Sequence, residues 1–88
     1  MIENTGNKKV IDYPAEIVFK AIYRNKPYTM DSIKTILHEN ERNGRVSSRE
    51  SSGGKFVSYT ITAVMDSEEQ LNKICTEVTM LEGFMSMF

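Results

Sequence analysis

The side chains that could do nucleophilic, acid–base or metal chemistry are few in this 88-residue sequence, and they stand far apart. It contains one histidine, His38, and one cysteine, Cys75. A structural zinc site needs four ligands, so these two residues do not build one. His38 lies on the polar flank of a predicted helix, which indicates an ordinary surface side chain. Cys75 lies at the edge of an apolar stripe, where a free cysteine behaves as a small hydrophobic residue.

A group of carboxylates, Asp66, Glu68 and Glu69, resembles a metal-binding cluster. Helix capping explains it fully, because carboxylates stabilise the positive end of a helix dipole. Ser67 and Gln70 also have the spacing of a capping box. We therefore predict a helix start here and expect no metal, no cofactor and no catalytic residue, so that the protein is not an enzyme.

Two segments with a period of two provide the strands that would position a binding surface. Residues 55–65 follow a turn of two serines and two glycines, and residues 16–24 follow Pro14. One set of alternate residues is apolar in each segment: Ile17, Phe19, Ala21 and Tyr23 in the first, and Val57, Tyr59, Ile61, Ala63 and Met65 in the second. Such strands belong to a sheet that is covered on one face only.

Two helices follow from apolar residues at helical spacing. The first has the stripe Met30, Ile33, Ile36 and Leu37, and the second has Leu71, Ile74, Val78 and Leu81. Thr29 or Asp31 is the candidate N-cap of the first helix, and Gly44 suits the left-handed position that commonly ends a helix. Gly83 is expected to stop the second helix.

The polar residues 45–50 suit an edge strand, and residues 84–88 form a last short strand. The order is then strand, helix, strand, strand, helix, strand. This predicts an α+β, ferredoxin-like βαββαβ fold, with a four-stranded antiparallel sheet in the order 4-1-3-2 and two helices on one face. Residues 1–11 are polar and are expected to form a flexible tail, which leaves residues 12–88 as a single domain.

Charge and hydropathy limit the classes of binding partner and the cellular location that we expect. The net charge of −1 offers no surplus of Lys and Arg, which argues against nucleic acid or an anionic membrane as a partner. No apolar run approaches the roughly 18 residues that span a bilayer. The amino-terminal segment lacks the apolar core of a signal peptide, so we expect a cytoplasmic protein.

Two functions known for this fold class can be tested against the residues. RNA-recognition modules carry a signature on their third strand that residues 52–59 match only in half, because the basic first position and the aromatic third position are lost. Phe56 would be the only stacking ring, which argues against RNA. Small acyl-phosphate hydrolases hold phosphate in a glycine-rich loop after the first strand. Residues 24–27 contain no glycine, which argues against this activity.

The chain also resembles a known family. Asp12-Tyr13-Pro14, residues 19–22, the turn 51–55, residues 58–62 and the short apolar carboxyl end are similar, in order and spacing, to the YbeD-like family of small bacterial proteins of uncharacterised function. The resemblance implies an ACT-like variant of the same fold and transfers no catalytic residue. ACT domains bind amino acids at paired domains, but they usually carry glycine in the loop where this chain has residues 25–28.

One sheet face remains uncovered by the predicted helices. Its candidate binding residues are Val18, Lys20, Ile22, Arg24, Phe56, Ser58, Thr60 and Thr62, with Val64 beside them. The last strand adds either Met85 and Met87 or Phe84 and Phe88. A partly apolar face of this kind often marks an interaction site, although the stems of Lys20 and Arg24 could simply cover it.

We predict a binding or regulatory module that uses this face for a protein partner or for self-association. The alternative is a small-molecule sensor, with a metabolite near residues 25–28.

Overall fold

The computed structural model describes residues 11–88, which form six elements in the predicted order. These are β1 (Ala15–Arg24), α1 (Thr29–Glu39), β2 (Gly44–Glu50), β3 (Phe56–Met65), α2 (Glu68–Thr79) and β4 (Phe84–Met87). The strands form one sheet in the order β2-β3-β1-β4, and every neighbouring pair is antiparallel. The predicted ferredoxin-like fold is confirmed. The tail predicted for residues 1–11 lies, except for Ile11, outside the described residues.

The core lies between the sheet and the two helices, and its members follow the predicted periods. It comprises Phe19, Ala21 and Tyr23 of β1, Val57, Tyr59, Ile61, Ala63 and Met65 of β3, and Ile33, Ile36, Leu37, Ile74 and Val78 of the helices. Burial of each large side chain is worth about 1.5 to 3 kcal/mol. Because both helices contribute to this one core, the opposite face of the sheet stays open. Neither helix in residues 11–88 has the length and apolarity needed to cross a membrane.

The start of α1 differs from the prediction. Its N-cap is Tyr28, which has a left-handed backbone (φ 70°) and makes no side-chain capping bond. The predicted N-caps, Thr29 and Asp31, are therefore wrong. Thr29 is buried, and its hydroxyl donates a hydrogen bond of 3.2 Å to the carbonyl of Lys26. The Thr29 side chain is thus bonded to the loop that precedes α1. The N-cap is Tyr28, one residue before Thr29.

The end of α1 also differs. The helix is closed by Asn40, and the left-handed residue after it is Glu41 (φ 60°). The prediction that Gly44 ends the helix is wrong, because Gly44 is the first residue of β2. A Cβ at this position would lie 2.9 Å from Leu37 Cδ1 and 2.9 Å from the carbonyl oxygen of Thr62. Glycine is required here by close packing of α1 against the sheet.

The capping box predicted for α2 forms in its first half, and its return bond reaches Asp66, the residue before the N-cap Ser67. Ser67 Oγ accepts a hydrogen bond of 3.1 Å from the Gln70 amide, and Gln70 Oε1 accepts one of 2.7 Å from the Asp66 amide. The helix is closed by Met80, so the predicted stop at Gly83 is wrong. Gly83 instead has a positive φ of 87° and ends the turn that leads into β4. A left-handed residue at this point favours glycine.

The phase of β4 is decided by an irregularity in its pairing with β1. Phe84 and Met87 both pack against the core. Phe88 exchanges two backbone hydrogen bonds with Lys20, of 2.7 and 2.9 Å, so the two side chains lie on the same, open face. Neither predicted alternative, Met85 with Met87 or Phe84 with Phe88, is right. A bulge adds one residue to a strand and therefore breaks its period of two.

Candidate functional site

The open face of the sheet is formed at its centre by β1 and β3. Their register pairs all eight predicted residues across the two strands, as Val18 with Thr62, Lys20 with Thr60, Ile22 with Ser58 and Arg24 with Phe56. Side chains of directly opposed residues lie on the same face of an antiparallel pair. The structure therefore brings the predicted set together on one surface. Its role in binding stays a prediction.

The edge strand β2 adds residues that sequence reasoning missed. Arg45, Ser47 and Arg49 of β2 stand opposite Thr62, Thr60 and Ser58, and therefore lie on the open face. Phe88 joins them from the other edge and is 69% exposed. The period of two in residues 45–50, counted back across the hairpin turn, was the signal that could have placed the two arginines. Phe88 was part of one predicted alternative for the last strand, and the bulge places it on the open face without Phe84.

A groove lies at the hairpin end of the open face and has a volume of about 540 Å³. Its lining combines two apolar side chains with charged and hydroxyl groups: Ile22, Arg49, Glu50, Ser51, Ser52, Phe56 and Ser58. The hairpin positions Phe56, because the Phe56 amide donates to Ser51 Oγ over 3.1 Å. The Ser51 amide donates in return to the Phe56 carbonyl over 2.9 Å. The groove is thus an apolar recess with a polar border that carries one cation, Arg49, and one carboxylate, Glu50.

The net charge of the open face differs from that of the whole chain. Among the described residues, four cations lie on it, Lys20, Arg24, Arg45 and Arg49, with one carboxylate, Glu16. Glu16 lies 3.9 Å from Arg45 in an exposed ion pair. The face therefore carries three positive charges in excess, whereas the whole chain has a net charge of −1. The net charge of the chain therefore does not describe this face, because the strand register gathers Lys and Arg on it.

Comparison with known proteins places the chain in a family. A family model described as a protein of unknown function, DUF493, matches residues 8–87. The chain belongs to the DUF493 family. A UPF0250 protein from Paraburkholderia phytofirmans is 28% identical over 76 residues, which cover 83% of this chain and 85% of that protein. The predicted YbeD-like membership is confirmed.

Solved structures share the fold of this DUF493 domain. Protein HP0495 from Helicobacter pylori superposes with a TM-score of 0.84 at 19% identity, over 100% of this chain and 96% of that one. The ACT domain of a GTP pyrophosphokinase from Chlorobium tepidum gives a TM-score of 0.67 at 8% identity, over 83% and 94%. At these identities the likeness establishes an ACT-like, ferredoxin-like fold and no more.

The remaining candidates of the DUF493 domain do not assemble into a reactive site. His38 is exposed on α1. Cys75 is half-buried on α2, and burial raises the pKa of its thiol, which opposes formation of the reactive thiolate. Asp66 pairs with Arg42 at 3.1 Å. Within residues 11–88, no three side chains of the metal-ligating types come together.

The loop of residues 25–28 is hydrogen-bonded to the β2–β3 hairpin through Asn25. The Asn25 side chain donates a hydrogen bond of 2.8 Å to the Gly54 carbonyl, and its amide donates one of 2.9 Å to the Lys55 carbonyl. The loop is thereby attached to the β2–β3 hairpin, next to the groove. Tyr28 at its end is 77% exposed. No residue of this loop lines the groove itself.

Proposed function

We propose that this DUF493 domain is a non-enzymatic binding module, of a regulatory kind, that docks a protein partner on the open face of its sheet. The observation that carries the proposal is an apolar strip that no element of residues 11–88 covers. Val18 is 59% exposed and Phe88 is 69% exposed, and the half-buried Ile22 and Phe56 lie between polar and charged side chains. Contiguous apolar surface inside a polar rim is typical of interaction sites.

The test is a double substitution, Ile22→Glu with Phe56→Glu, which places two carboxylates in the groove. The matched control is Tyr28→Glu with Met80→Glu. This control makes the same change in charge at two apolar residues that are each 77% exposed and lie at ends of the helices. Circular dichroism and thermal melting establish that both variants fold. Val18→Glu, at a more exposed position of the open face, is the substitute if the double variant does not fold.

Two measurements are made on each variant: molar mass by light scattering, and capture of proteins from a lysate of the source organism. We expect the open-face variant to lose a specifically captured partner and the control to keep it. A loss of mass in light scattering would instead assign the face to a second copy of the chain. Unchanged mass together with unchanged capture would overturn the proposal.

A small-molecule sensor is the second candidate function. It is favoured by the groove, because volumes of about 300 to 1,000 Å³ are typical of small-ligand sites, and by the ACT-like fold. A thermal-shift screen against amino acids and other metabolites separates the two functions. A ligand that binds only the folded state raises the melting temperature by linkage, whereas partner docking alone produces no response to metabolites.

A further inference from the structure

We infer that the open face binds an acidic segment of its partner, with an apolar side chain of that segment seated in the groove. This inference rests on the proposed function and states the chemistry of the partner. The four cations of the face lie on two strands, β1 and β2, which flank β3 in the sheet. Within residues 11–88, Lys20, Arg24 and Arg49 take part in no salt bridge. Their charges are therefore available to carboxylates from outside.

A second copy of the chain does not suit this face. In a two-fold dimer the same patch meets itself, so four cations would stand against four cations. Like charges brought together at an interface oppose association. Docking of the open face onto a different surface of another copy is heterologous and would build a ring or an open chain of subunits rather than a two-fold dimer. A partner with a different, acidic surface avoids both problems.

The groove specifies the second element of the partner. Ile22 and Phe56 supply its apolar lining, and its border carries Arg49 and the carboxylate of Glu50. An arginine binds a carboxylate through two parallel hydrogen bonds, which fixes direction as well as charge. The hydroxyls of Ser51, Ser52 and Ser58 offer further polar contacts to a peptide backbone. An apolar residue flanked by Asp or Glu would satisfy both parts of the lining at once.

RNA fits the same surface less well. Recognition on a sheet of this kind uses two or three aromatic rings on the central strands as stacking platforms. Here Phe56 is half-buried in the groove, and the other ring of the face, Phe88, follows the edge strand β4. The central position opposite Ser58 is the aliphatic Ile22. Single-stranded RNA is therefore kept as a competing probe in the test.

The experiment uses fluorescence anisotropy with the full chain and three labelled probes. The first is a pool of peptides of about ten residues, with apolar residues alternating with Asp or Glu. The second has the same apolar residues alternating with Lys or Arg, and the third is an oligouridine of similar length. We expect the acidic pool to bind at least about tenfold more tightly than the other two, and to weaken as salt is raised from about 50 to about 200 mM. Amide chemical-shift changes are expected at Ile22, Arg49 and Ser58.

Charge neutralisation separates this inference from the proposed function. The double variant Lys20→Gln with Arg49→Gln keeps the apolar strip. It should weaken binding of the acidic peptide pool about tenfold. The control, Lys26→Gln with Lys73→Gln, removes the same charge from other surfaces and should not. Equal binding of the two peptide pools, or tighter binding of oligouridine, would overturn the inference. A partner that is lost with the Ile22 and Phe56 substitutions but kept with the Lys20 and Arg49 substitutions would overturn the acidic chemistry and leave the docking face intact.

Discussion

The hydroxyl of Tyr23, on the central strand β1, donates a hydrogen bond of 2.5 Å to the backbone carbonyl of Val78, in the last turn of α2. The Tyr23 side chain is fully buried. Tyr59 and Phe84 contact its ring edge-on, each with its ring centroid at 5.6 Å. One residue thereby joins β1, β3, β4 and α2, and its hydroxyl adds a short hydrogen bond to a carbonyl near the end of the helix, which also accepts a longer one of 3.4 Å from the Leu81 amide.

Replacing this hydroxyl should be costly. Tyr23→Phe keeps the ring contacts and removes the shorter of the two hydrogen bonds to the Val78 carbonyl, so we expect a loss of about 0.5 to 1.5 kcal/mol in the free energy of unfolding. Urea denaturation monitored by circular dichroism measures the loss. Tyr28→Phe, which removes an exposed hydroxyl, is the control and should leave the stability unchanged. Equal midpoints for the two variants would contradict the structural role of the bond.

The same residue predicts how stability changes at alkaline pH. Burial, and to a lesser extent the neighbouring Tyr59, raises the pKa of Tyr23 well above its ordinary value of about 10. The folded state therefore resists deprotonation, while the unfolded chain deprotonates from about pH 10 upward. The stabilisation is complete below that pH and is lost as the pH rises above it. Thermal melting between about pH 8 and 11 should show a steeper decline for the wild type than for Tyr23→Phe.

Gly44 is expected to tolerate no side chain. In Gly44→Ala the new Cβ would lie 2.9 Å from the carbonyl oxygen of Thr62 and 3.0 Å from the Cβ of Ala63. The backbone oxygen in particular has little freedom to move, so overpacking should cost about 1 to 3 kcal/mol. Ser47→Ala on the same strand is the control, because Ser47 is exposed. Chemical denaturation of the two variants gives the comparison, and a neutral Gly44→Ala would show that α1 and the sheet can separate.

Glu41 occupies a backbone conformation that disfavours a Cβ. Its φ of 60° lies in the left-handed region after the end of α1. Glu41→Gly should therefore raise the free energy of unfolding by about 1 kcal/mol, since glycine adopts this conformation without strain. Glu41→Ala retains the Cβ and serves as the control. A gain of the same size in both variants would assign the effect to the lost carboxylate rather than to the backbone.

Asn40 connects the two helices. Its Nδ2 donates to the Ile36 carbonyl over 2.8 Å and to Glu77 Oε1 over 3.0 Å, and its Oδ1 accepts from Lys73 over 2.9 Å. Asn40→Ala should cost about 1 to 2 kcal/mol at neutral pH. Hydrogen bonds from Lys73 first, and then from Asn40, lower the pKa of Glu77.

A lowered pKa stabilises the fold above the unfolded value, and this contribution is lost as the pH falls through the folded value. The difference between wild type and Asn40→Ala should therefore shrink on acidification. Chemical denaturation of both proteins at neutral pH and near pH 3 tests this. A difference that does not change with pH would show that Glu77 gains nothing from the amide.

Most of the fold could be predicted, because the alternation in β1 and β3 and the helical stripes report burial directly. The errors fall where one side chain or one close approach overrides a local preference. Thr29 looked like a cap and instead holds a loop through Lys26. Gly44 looked like a helix end and instead makes room for Leu37. The roles of these residues depend on tertiary contacts and on backbone angles, and neither can be inferred from residue types alone.

The candidate site, like the fold, could be predicted from the sequence only in part. The eight residues on β1 and β3 follow from the sequence alone, since a period of two with one apolar set determines which side chains point away from the core. The cationic character of the face was decided only by the tertiary structure. Arg45 and Arg49 join Lys20 and Arg24 through the antiparallel register of three strands, and a bulge in β4 turns Phe88 onto the same side. Register and bulges arise from pairing between distant segments, so a near-neutral sequence folds into a domain with one strongly positive face.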